Sequence, residues 1–126
     1  MEPVYLFDLT SRQSSWLSVR QSAIAENVAN ADTPGFASKD VEPFKDILDQ
    51  THLTMAATHG SHIGASGEAG GQFEVKEANA WQVFDSKNSV SLEQEMIKAG
   101  EVSRAHNLNV SIVQSFHGLM LSGIGK

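Results

Sequence analysis

"SLEQEMIKAGEVSRAHNLNVSIVQSFHGLM", residues 91–120, decides the fold of this 126-residue chain. Leu92, Ala99, His106, Val113 and Met120 recur every seven residues, and Met96, Ser103, Val110, His117 and Ile124 form a second series four residues on. Val102 and Phe116 broaden the face. A repeat sustained over four heptads predicts one long helix packed lengthwise on a partner, since helices in small globules rarely hold such a pattern. Ser91 and Gln94 have the spacing of a capping box, and Glu93 and Glu95 sit in the first turn, where the helix dipole favours acids. Gly118, Gly123 and Gly125 loosen the far end, so the helix is expected over 91–122. His106 and His117 fall on the stripe, where partly buried packing is the expected role.

The other end of the chain supplies a second helix. Residues 1–32 contain no glycine and only Pro3, early enough to sit at a helix start. Leu6, Leu9, Gln13, Leu17, Arg20, Ile24 and Val28 step by three or four, as one helical face does. This predicts a helix over 4–31, roughly 40 Å long at 1.5 Å per residue, with Gln13 and Arg20 on its packing side. Pro34 biases Thr33 away from helical backbone and ends it by Asp32. Thr33-Pro34-Gly35-Phe36 then places proline and glycine at the two centres of a type II turn.

Between the helices the pattern weakens. A short helix is expected over 43–50. "THGSHIGASGEAGG", 58–71, has five glycines and almost no bulky apolar side chain, so it buries too little to offset its ordering entropy and is expected to be mobile. Phe73/Val75 and Trp81/Val83 alternate like two short strands joined near Ala78-Asn79, a hairpin that needs support from the helices. The fold class is therefore mainly α, divided into 1–36, a variable middle at 37–90, and 91–126. Net charge over these parts is −2, −4 and zero.

Composition excludes several functions. A net charge of −6 argues against a nucleic-acid partner, which needs a basic face. No apolar run is long enough to cross a membrane. Glu2 and Asp8 occupy the positions where a signal peptide carries positive charge. Without cysteine there is no disulfide and no thiolate chemistry. No GxSxG, HExxH or phosphate-binding glycine loop is present, and Asp85–Met96 fails as a calcium loop because Val90 and Met96 stand where glycine and glutamate are required. His52, His59 and His62 share one segment, but with no fourth strong ligand in view they are read as solvated. No metal, cofactor or small-molecule substrate is expected.

Two further segments carry a resemblance. "RQSAIAENVANADTPGFASKDVEPF" (20–44) resembles the signature of bacterial flagellar basal-body rod proteins, in which a helix ends in N-[IV]-A-N-x-x-T-P-G-[YF]. "NSVSLEQEM" (88–96) resembles the matching C-terminal signature. With the first helix these segments cover about 80 of the 126 residues, and the pair is far more specific than either alone. The short acidic middle and the wording Asp32-Thr33-Pro34-Gly35 are most similar to proximal rod subunits. Ser91 stands where the family often has aspartate and His106 where tyrosine is common; serine caps a helix equally well.

The resemblance implies a structural axial subunit of the rod, with no catalytic role. It implies export through the flagellar type III apparatus, helical assembly in the periplasm, and transmission of torque. The implied partners are further copies, other rod subunits, and the ring, adaptor and export-gate proteins at the rod base. The assembly interface expected from it comprises Leu9, Leu17, Ile24, Asn27, Asn30, Pro34, Gly35, Leu92, Met96, Val113, Phe116 and Met120. Asn27 and Asn30, near the helix end, are expected to hydrogen-bond a neighbour. A monomeric helical hairpin that binds a metal or ligand is the alternative.

Overall fold

The computed structural model describes residues 3–51 and 73–125. The glycine-rich stretch 58–71 and His52, His59 and His62 lie outside the described residues. In chain order the elements are α1 (Pro3–Ala29), β1 (Lys39–Val41), α2 (Phe44–Thr51), β2 (Val75–Glu77) and α3 (Leu92–Ile124). The two long helices and the short one follow the expected bounds within a few residues. No helix among the described residues is long and apolar enough to cross a membrane.

α1 and α3 lie side by side and antiparallel. Phe7 meets Phe116 edge-on at 5.5 Å near one end, and Arg20 reaches Glu101 at 3.2 Å nearer the other. Between them Asn109 Nδ2 donates to Thr10 O at 2.9 Å and to Ser14 Oγ at 2.7 Å. The buried apolar residues of the pair are few: Trp16, Leu17, Ala23 and Ile24 of α1, Val102 of α3, and Val41 of β1. Phe44 and Ile47 of α2 pack against this cluster. The Trp16 and Phe44 rings are 5.8 Å apart, and Trp16 Nε1 donates to Glu42 O at 2.8 Å.

The α3 face that meets α1 is not the heptad stripe. Gln94, Glu95, Lys98, Val102 and Asn109 are its buried residues, whereas Leu92, Met96 and Val110 are exposed. His106 and His117 are also exposed, which corrects the expectation of partial burial. An ideal helix drifts about 20° per heptad against a seven-residue repeat, so the heptads mark a stripe beside the α1 contact.

The small sheet also differs from the expected hairpin. β2 pairs antiparallel with β1, in the register Lys39↔Glu77, Asp40↔Lys76 and Val41↔Val75. Residues 81–84 form no strand. The partner strand lies just after the Pro-Gly turn, too far along the chain for local alternation to reveal it.

Burial separates residues that hold the chain together from those that do not. Leu17→Ala, at a fully packed position, is expected to cost about 2–5 kcal/mol of unfolding free energy. Met96→Ala, 76% exposed, should change it by less than about 0.5 kcal/mol. Urea denaturation of the isolated chain measures both.

Candidate assembly surface and the junction beneath it

The polar detail that ends α1 is consumed inside the chain. Asn27 is 0% exposed. Its Nδ2 donates to Lys39 O at 2.7 Å, and its Oδ1 accepts from Lys39 N at 2.9 Å. One side chain thus satisfies both backbone groups of the first residue of β1, as a neighbouring strand would. Asn30 Nδ2 donates to Glu26 O at 2.9 Å, and Thr33 Oγ1 donates to Asn30 Oδ1 at 3.2 Å, closing the helix end. Phe36 N donates to Thr33 O at 3.3 Å, and Gly35 has φ +76°, so the type II turn forms as expected.

The segment before α3 fastens onto this turn. Asn88, buried, donates from Nδ2 to Asn30 O at 2.8 Å and to Thr33 O at 2.7 Å. Its Oδ1 accepts from Val90 N at 2.8 Å. Gly35 N donates to Ser86 O, and Ser89 N to Phe36 O. Ser38 N donates to Ser89 Oγ at 2.8 Å. Lys87 adopts left-handed backbone, φ 61°, at the tight turn that presents Asn88. Ser91 then caps α3 by accepting from Gln94 N at 3.4 Å. The Gln94 side chain does not complete the capping box; it donates to Asn79 O at 3.0 Å.

Charge ties the same region together. Asp40 of β1 accepts from Arg20 Nε at 3.2 Å and from Val41 N at 2.8 Å, and lies 3.3 Å from Lys98 Nζ. Lys98 also contacts buried Glu95 at 3.1 Å. The Arg20 guanidinium lies over the Trp16 ring, 5.4 Å from its centroid. Burial pushes the Asp40 carboxyl up, but the Arg20 hydrogen bond, the Val41 N–H and the charges of Arg20 and Lys98 outweigh it and hold the group below 3.8. Asp40, Asn88, Glu95, Lys98 and Asn109 escaped the sequence reading. Their only signal was Asn88 opening the C-terminal motif; charges at helical spacing read as a solvated face.

Of the residues expected at the assembly interface, Leu17, Ile24 and Asn27 are buried within the chain. Leu9, Asn30, Val113 and Phe116 are half-buried, and Pro34 and Gly35 sit exposed in the turn. Leu92, Met96 and Met120 are exposed on α3, joined there by Ile97, Leu108, Val110, Leu119, Leu121 and Ile124. A family model for flagella basal body rod proteins matches residues 15–36, the end of α1 and its turn. The flagellar basal body rod protein FlgB of Agrobacterium fabrum is 44% identical, covering 100% of this chain and 97% of that protein. The chain belongs to the flagellar basal-body rod protein family. FlgB of Yersinia enterocolitica is 36% identical over 55 residues, 37% of this chain and 40% of that protein. Membership makes the chain a structural component of the flagellar basal-body rod. In this rod protein the polar residues of the two motifs form the internal junction, while Leu92 and Met96 of the second motif stay exposed with the other apolar residues of α3.

Two outcomes test the junction. Asn27→Ala strands the N–H and C=O of Lys39, and at about 1–3 kcal/mol for each unsatisfied group should cost about 2–6 kcal/mol on denaturation. Because the folded pKa of Asp40 lies below its unfolded value, its contribution is present above pH 3.8 and is lost as pH falls through the lower folded value. Asp40→Asn should therefore lower stability near neutral pH and flatten the acid limb of the pH–stability curve.

Proposed function

We propose that the chain is an axial subunit of the proximal rod, exported unfolded through the flagellar type III apparatus and assembled helically to transmit torque. It meets further copies, other rod subunits, and ring, adaptor and export-gate proteins at the rod base. It catalyses no reaction and takes no nucleic acid or small-molecule substrate. Residues 1–36 and 91–126 form the assembling part.

The observation that carries this reading is the uncovered apolar surface of α3. A protein of this size rarely leaves so many large apolar side chains along one helix unless they meet a partner. Met120, Leu121 and Ile124 carry the exposed apolar surface on to the end of α3. Membership in a rod family supplies the kind of partner.

Because Met96 contributes nothing to the internal packing, Met96→Asp should be exported at the wild-type level and leave cells non-motile. Gln114→Asp, at an exposed polar position, should swim. An unpaired carboxylate in a subunit contact costs several kcal/mol and recurs in every copy. Immunoblots for secreted chain and soft-agar motility read the result, and equal swimming by both variants would remove this part of α3 from assembly.

A further inference from the structure

α3 carries apolar side chains on both sides of its α1 contact. At about 100° per residue, Lys98, Val102, Asn109 and Phe116 face α1. Leu108, Ile112 and Leu119 lie roughly a quarter turn to one side, and Val110, Leu121 and Ile124 roughly a quarter turn to the other. All six are exposed. The first stripe is concave: with Leu6 of α1, and with Ser111 and Ser115 as small side chains, it lines an open groove between the helices. The second is an exposed ridge on the opposite flank. From Ala105 to Gly125 there is no Asp, Glu, Lys or Arg, so neither stripe offers a charge to an ionic partner.

Resting on the rod reading above, we propose that the groove of one copy receives the ridge of the next. Both surfaces are uncharged, and both run along the same half of α3. A two-fold contact would use one stripe twice and leave the other bare. A heterologous contact covers both stripes on every interior copy and propagates as an open polymer. The occupant of the groove is thus a second copy of this chain, through its opposite flank.

The chain has no cysteine, which makes the pairing testable in assembled basal bodies. Leu108, Ile112 or Leu119 is replaced by cysteine in combination with Val110, Leu121 or Ile124, and each single replacement is also made. After oxidation or treatment with a bis-maleimide, at least one groove–ridge combination should give a ladder at multiples of the subunit mass. Single cysteines should give none, because groove does not meet groove nor ridge meet ridge. Wild-type motility before cross-linking confirms a native assembly. Dimers from a single cysteine, a cross-link to a protein of another mass, or no ladder from any combination would overturn the pairing while leaving the rod reading intact. If the wild-type chain is missing from purified basal bodies, the rod reading fails as well.

Discussion

Two hydrogen bonds from Asn27 to the backbone of Lys39 set the course of the chain. On its α1 side, Lys39 has no neighbouring strand to satisfy its backbone. The buried amide fixes β1 alongside α1 by offering a donor and an acceptor at strand spacing. Once β1 is there, Asp40 reaches Arg20 and Lys98, Glu42 offers its carbonyl to Trp16, and β2 gains a partner. Aspartate would lose the donor and leucine both bonds, so no apolar or acidic substitute does this work.

The helix pair mixes polar groups with the few apolar ones in its internal contact and leaves many apolar groups outside. Asn109, Lys98 and Glu95 are buried at the α1 side. Internal hydrogen bonds yield only about 1 kcal/mol each, net, and buried ion pairs can cost more in desolvation than they return. The apolar flanks would contribute about 25 cal/mol per Å², but only when something covers them. The exposed apolar flanks thus add hydrophobic stabilisation only where something covers them. Polar contacts inside also fix the register of α1 on α3, because an Asn109 displaced by one turn would lose both Thr10 and Ser14.

Much of this was legible in the sequence, for reasons that differ by element. Both long helices, the Pro34 stop, the turn at Gly35 and the Ser91 cap follow from local rules acting within a few residues. The sheet was not legible as drawn, because β1 at 39–41 is too short to show alternation and its partner is distant in sequence. Binary patterning also misplaced the contact face of α3. It treats Glu95 and Lys98 as solvent-facing, although both are buried and paired, and it treats the heptad residues as covered, although the chain itself leaves most of them open. The periodicity was sound; it recorded a surface that the isolated chain does not fill.

The pairing of the two motifs has a physical cause. Asn88 in the second motif donates to the carbonyls of Asn30 and Thr33 in the first, and Ser89 binds Phe36 and Ser38. Each segment hydrogen-bonds the backbone of the other, so the two motifs hold one another in place. Their demanding chemistry defines how α1 and α3 are joined, while the apolar flanks ask only for size and lack of charge. The chain thus combines a junction of specific, directional hydrogen bonds with an outer helix surface of uncharged apolar side chains that demands no particular geometry.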